Sequence, residues 1–147
     1  MKKLFFLAAL FFSVVSYSQI EFIESSTKVD IVGQVEFVYL EKVGDNESYN
    51  LFYKNINNPI NEYVFFSFKN TNDDVSKLHQ IMLKGFEEMP MQKFQIKANG
   101  DVIFFKYERG DDGEMRMQIQ QYVSRDPDVM TVSKFLTLNE VNKLFQK

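Results

Sequence analysis

One histidine, His79, stands in a chain of 147 residues that contains no cysteine. Imidazole is the side chain whose ordinary titration range lies nearest neutrality, so His79 is the first candidate for a general base or a nitrogen metal ligand. On a helix its four-residue neighbours are Val75 and Leu83, neither of which binds a metal, so further ligands would have to come from elsewhere in the chain. Val75, Leu78, Met82, Phe86 and Met89 recur at helical spacing, and His79 falls within that apolar arc. The competing reading is a neutral ring at a helix–sheet border, with one nitrogen bonded and the other solvated. Ser67, Ser76, Ser124 and Ser133 occur without a nucleophile elbow or a Ser-x-x-Lys pattern. A hydrolase built on His79 and nearby carboxylates stays open as an alternative.

Acidic turns are the second chemical signal. Asp111-Asp112-Gly113-Glu114 and Asp126-Pro127-Asp128 resemble pieces of calcium loops, with Asp111, Asp112 and Glu114 as the candidate ligands. Calcium asks for six to eight oxygens on a defined loop, and the D-x-D-x-D-G spacing is missing. Soluble acidic turns account for these residues, and no cofactor is expected. Asn46-Glu47-Ser48 matches the N-glycosylation sequon, a short pattern that carries weight only in a eukaryotic secretory pathway.

The third signal is aromatic. Phe and Tyr supply 16% of the residues and there is no Trp. Trp platforms are common on sugar-binding surfaces, so its absence lowers that reading. Val64, Phe66 and Phe68 alternate against Tyr63 and Phe65, while Ile103, Phe105 and Tyr107 alternate against Val102 and Phe104. A strand that is apolar on both faces is covered on both. If helices cover one face only, Tyr63, Phe65, Val102 and Phe104 form a patch for a ligand, a partner or a second copy.

The elements that carry these residues follow from periodicity and punctuation. Strands are expected over 34–43, 48–56 and 62–69, with a turn at Gly44-Asp45-Asn46-Glu47 and a break at Asn57-Asn58-Pro59. Residues 19–33 read as a flexible lead-in. Asn70-Thr71-Asn72 offers N-caps, Asp73-Asp74 suits a first helical turn, and Pro90 closes a helix over 73–89. Asn99-Gly100 is the strongest hairpin signal, since both residues tolerate the positive φ of a type I′ turn. Strands flank it, and two more follow over 114–124 and 129–135. Thr137 and Glu140 make a capping box, with Leu136 and Val141 as its hydrophobic staple. No internal repeat emerges. The expected class is α+β: one mostly antiparallel sheet of six to seven strands, one helix between strands three and four, and a short C-terminal helix packed on the sheet.

Residues 1–18 set the compartment. Lys2 and Lys3 precede an apolar run from Leu4 to Val15, and Ser16-Tyr17-Ser18 offers small residues before a cut ahead of Gln19. This is the layout of a secretory signal peptide, and the run is short for a retained transmembrane segment. Removal leaves residues 19–147 as a single domain with 15 basic against 20 acidic residues. An acidic balance without a basic cluster argues against nucleic acid or an anionic membrane as ligand. The leader and the Lys, Asn, Ile and Phe bias resemble exported proteins of Bacteroidota, especially flavobacteria. That resemblance covers leader and composition only. It implies export to the periplasm, the outer-membrane surface or the medium, and no activity. The expected role is a non-catalytic envelope module whose partner is an envelope protein, an apolar ligand or a second copy. A structural accessory protein is a further alternative.

Overall fold

The computed structural model describes residues 27–146 apart from 46, 59, 61, 91 and 123–129. The leader, the sequon residue Asn46, and Asp126 and Asp128 therefore lie outside the described residues. Two antiparallel meanders follow one another. Strands β1 (Val29–Val35), β2 (Val38–Val43), β3 (Ser48–Lys54) and β4 (Tyr63–Lys69) form the first sheet in that order. Helix α1 (Asp74–Glu88) follows, then β5 (Phe94–Ala98), β6 (Asp101–Arg109), β7 (Met115–Tyr122) and β8 (Met130–Thr137) in a second sheet of the same order. Helix α2 (Leu138–Leu144) ends the chain.

The α+β class stands, but the arrangement expected from sequence is corrected. There are two sheets of four strands, not one of six to seven, and the first helix follows the fourth strand, not the third. The strand count and the helix position have one source. The strand expected over 34–43 is two strands, folded back at Glu36–Phe37, with Val35 paired to Val38. Glu36 carries the positive φ, 45°, that such a tight turn needs. A glutamate there gives no sign of the turn, because Asn and Gly are the residues that usually announce it. Residues 29–33, which read from sequence as part of a flexible lead-in, thus supply most of β1. That strand exposes Val29 and Ile31 at 48% and 51%, so its apolar residues do not mark a buried face.

Other features follow the sequence. Asn99 and Gly100 take φ of 47° and 94° and join β5 to β6. At α2, the Glu140 N–H donates to Thr137 Oγ1 at 3.2 Å and the Thr137 N–H donates to Glu140 Oε2 at 2.8 Å, which completes the capping box. Leu136 and Val141 are both fully buried beside it. Burial pushes the Glu140 carboxyl up, but the Lys134 ammonium and the Thr137 bonds outweigh it and hold it below the usual range. α1 is capped differently: Asn70 Oδ1 accepts the Val75 N–H at 3.1 Å. Its last turn closes on Met89, at φ 45°, ahead of Pro90.

The architecture repeats. Each half is a four-stranded meander followed by a helix, and the registers correspond. Tyr39 pairs with Phe52 and Phe52 with Phe65; in the second half Lys106 pairs with Gln118 and Gln118 with Phe135. Next to them, Glu41–Asn50–Ser67 matches Glu108–Arg116–Thr137. With the halves aligned, Asp74-Val75-Ser76-Lys77-Leu78-His79-Gln80 lies against Glu140-Val141-Asn142-Lys143-Leu144-Phe145-Gln146. The repeat escapes a reading of sequence alone because identity is confined to a few helix and turn positions.

The helices are exchanged between the halves. α1 lies on β6 and β7, and α2 lies mainly on β1. Two glycines permit this closeness. A Cβ on Gly33 of β1 would collide with the carbonyls of Lys143 and Leu144 in α2. A Cβ on Gly85 of α1 would collide with the Tyr107 ring of β6, whose hydroxyl donates to the Met82 carbonyl at 2.7 Å. The sheets share no ladder and meet through a polar knot. The Tyr53 hydroxyl donates to Gln121 Oε1 at 3.2 Å and lies 2.7 Å from Thr131 Oγ1, while the Ile56 N–H donates to the Val132 carbonyl at 3.0 Å. Burial pushes the Tyr53 phenol up to about 12, against a smaller opposing effect of Thr131. One apolar cluster, including Leu51, Phe66, Met82, Phe105, Ile119 and Leu144, runs through both halves.

Candidate interaction surface

Strand alternation divides the first sheet into a face toward the helices and a face away from them. Leu40, Leu51, Tyr53, Val64 and Phe66 point inward and are buried. Tyr39, Phe52, Tyr63 and Phe65 therefore point outward. Tyr39 and Phe52 stack at 4.7 Å with planes 10° apart, and Phe52 meets Phe65 at 4.8 Å. Tyr63 closes on Tyr39 at 6.2 Å. The Tyr39 phenol is raised, first by burial and then by the neighbouring Glu41 carboxylate and Tyr63. Beside this row runs a polar one: Asn50 Nδ2 donates to Glu41 Oε1 at 2.9 Å, and Ser67 Oγ donates to Asn50 Oδ1 at 2.7 Å.

The patch extends to one end of the sheet. The β1–β2 turn and the β3–β4 loop lie at the same end of a meander. They carry Phe37, 46% exposed, with Ile56 and Ile60 at 53% and 83%. Lys54 Nζ sits 4.5 Å from the centre of the Phe37 ring, a cation–π contact that orients it. Of the nine large apolar side chains exposed among the described residues, Phe37, Ile56, Ile60, Tyr63 and Phe65 collect here.

The four patch residues expected from sequence are divided between the two sheets. Tyr63 and Phe65, 46% and 48% exposed, belong to the aromatic face of the first sheet. Val102 and Phe104 lie on β6 of the second, half-buried, and are not on a strand neighbouring β4. Phe104 is engaged edge-on by Tyr122 at 5.7 Å, with Lys93 Nζ 5.8 Å from its ring centre. Sequence reasoning missed Phe52, since Asn50 and Lys54 on its face read as a solvated strand side. It missed the Phe37 contribution because the turn there was unseen.

His79 lies between the helices. Its ring stacks on Phe145, the C-cap of α2, at 4.6 Å, and Nε2 is 2.8 Å from Oδ1 of Asn142 within that helix. The ring is 9% exposed. Its partner element is a helix rather than the sheet border that sequence suggested. Among the described residues, no group of three His, Asp or Glu side chains converges to hold a metal.

The acidic turn of the second sheet is internally satisfied. Asp112 accepts from the Glu114 N–H at 3.1 Å and from Arg116. The Glu114 N–H, more than Arg116, holds the Asp112 carboxyl below its usual range. The Gly113 N–H donates to the Gly110 carbonyl at 2.9 Å, and the Gly110 N–H to the Glu114 carbonyl at 2.8 Å. Asp111 is exposed in the same turn. Ser67 is bound to Asn50, and Ser133 Oγ accepts the Ile119 N–H at 2.9 Å, so both hydroxyls have structural partners. No family model matches the chain, and no match emerges among curated proteins or solved structures.

Proposed function

We propose that this chain is an exported, non-catalytic interaction module of the cell envelope, and that it engages a protein partner through the outer face of its first sheet. The observation that carries the reading is the collection of Phe37, Ile56, Ile60, Tyr63 and Phe65 in one exposed region. A soluble monomer seldom leaves such a patch without use, and rigid aromatic anchors at low entropy cost are what protein interfaces favour. Ring geometry favours a protein surface over a sugar. Tyr39 and Phe52 are stacked nearly parallel, which covers one face of each, and Phe65 stands 4.8 Å from Phe52. A sugar ring stacks on a free face. The row Glu41–Asn50–Ser67 supplies a polar margin, as at the rim of an interface.

Site-directed photocrosslinking in the exporting cell tests this. p-Benzoylphenylalanine replaces Phe65, Phe37 or, as control, exposed Lys84 on α1. A discrete adduct from the first two positions and none from Lys84 is expected. An adduct of twice the protein mass identifies a second copy as the partner. Failure of Phe65 and Phe37 to give any adduct beyond the control would overturn the reading.

A further inference from the structure

A cleft of about 520 Å³ separates the free edge of β4 from the free edge of β5, with α1 as its floor. β4 is the last strand of the first sheet and β5 the first of the second, and no ladder joins them. The cleft touches Phe66, Ser67, Phe68 and Lys69 in succession, and Ile96, Lys97, Ala98 and Asn99 in succession. Successive strand residues point to opposite faces, so a cavity that meets every one of them runs along the strand edges, where backbone N–H and C=O groups stand.

The two walls differ in character. On the inner side are Phe66, Phe68, Ile96 and Ala98, with Leu78 and Ile81 of α1 beneath them. On the outer side are Ser67, Lys69 and Lys97. Lys69 and Lys97 are exposed, and neither is ion-paired among the described residues. The acid at the mouth, Asp74, is bound by Lys77 at 3.0 Å.

We infer that this cleft takes an extended peptide segment in which aliphatic and acidic residues alternate, bound as an added strand on the free edge of β4 with β5 as the opposite wall. Alternate aliphatic side chains then face α1, and the acidic ones emerge between Lys69 and Lys97. Edge backbone supplies affinity, and the two-faced wall supplies selection. Four residues in strand conformation span about 13 Å, the length of edge that the cleft lines. An acyl chain has no such alternation and would leave the edge backbone unpaired. The same lysines guard the edges against uncharged or basic strands, a usual device at sheet edges. This site adjoins the margin of the aromatic face at Ser67, but its test rests on Lys69 and Lys97, which lie outside that face, so the two fail independently.

Fluorescence anisotropy of the exported protein with fluorescein-labelled Glu-Val-Glu-Val-Glu-Val amide tests the inference. Saturable binding is expected, weakened about tenfold or more by Lys69→Glu with Lys97→Glu, whose exposed positions keep the fold intact in a thermal melt. The same peptide N-methylated at alternate amides should not bind, and hydrogen exchange at β4 should slow only with the unmodified peptide. Equal binding of the N-methylated peptide, or of Lys-Val-Lys-Val-Lys-Val amide, would overturn the proposal. So would no binding of the acidic peptide, including the case in which decanoate alone binds saturably.

Discussion

Replacing Gly33 by alanine probes the exchange of helices between the two halves. The new methyl group meets the carbonyls of Lys143 and Leu144, which belong to the backbone of α2. Backbone cannot rotate aside as a side chain does, so strand and helix must separate. Overpacking of this kind costs about 1–3 kcal/mol. The substitution also stiffens the unfolded chain, which returns about 0.4–1 kcal/mol. The two ranges leave a net loss of up to about 2.6 kcal/mol, and because the clash is with backbone carbonyls the upper part, about 1–2 kcal/mol, is expected. For a domain of this size each kcal/mol lowers Tm by roughly 4 °C, so the melt should fall by about 4–8 °C. Differential scanning calorimetry of wild type and Gly33→Ala measures it, with Gly44→Ala as a comparison. At Gly44 a Cβ meets nothing, and the cost there comes from its φ of 65°. A Gly33→Ala protein that melts within 1 °C of wild type would show that α2 does not rest on β1, and the exchanged packing would have to be abandoned.

Thr137→Ala should cost about 1 kcal/mol by removing the cap of α2, and Phe145→Ala about 3 kcal/mol because its ring is 6% exposed; urea midpoints read both. Raising the pH should destabilise the protein through Tyr53. The fold keeps its phenol neutral up to about 12, whereas the unfolded chain ionises it near 10, so stability present below the ordinary value is lost between them, about 3 kcal/mol in all. Tyr53→Phe should flatten that alkaline slope, and an unchanged slope would refute the assignment. His79→Gln should lower stability by about 1–2 kcal/mol through loss of the stack on Phe145, yet leave crosslinking from position 65 unchanged. Loss of that adduct in a folded variant would give His79 a role in binding.

Local signals carried the second half of the chain better than the first, for a physical reason. Asn99-Gly100 and the Thr137–Glu140 box satisfy backbone groups with the residue types that do so most cheaply, and both appear as read. Glu36 does the work of a turn glycine with an ordinary side chain, and that one position concealed β1 and shifted the strand count. Division into two sheets was not legible because it depends on contacts far apart in sequence, such as Tyr53 with Thr131. The burial of His79 against α2 was hidden likewise. Its apolar arc was visible, but the element that would cover it was not. Tyr63 and Phe65 read from sequence as a pair on one strand face. Their joining to Tyr39 and Phe52 instead of Phe104 needed the sheet order.

The repeated halves provide an internal control on what the aromatic face is for. Tyr39, Phe52 and Phe65 occupy the same register positions as Lys106, Gln118 and Phe135. In the second half the lysine lies over the phenylalanine, with Nζ 5.6 Å from the ring centre, and Gln118 Nε2 donates to the Ser133 carbonyl at 2.9 Å. The same meander therefore forms with a cation and an amide at two of the three positions. Sheet formation does not demand tyrosine and phenylalanine there, and neither helix covers them, since α1 and α2 lie on the inner faces. Stability alone offers little reason to keep exposed Phe65 beside exposed Tyr63, Phe37 and Ile60, because a partly exposed ring forfeits much of the gain that burial would bring. What distinguishes the first half from its own repeat is an outward apolar surface. That difference, which folding does not require, is what the proposed partner contact would use.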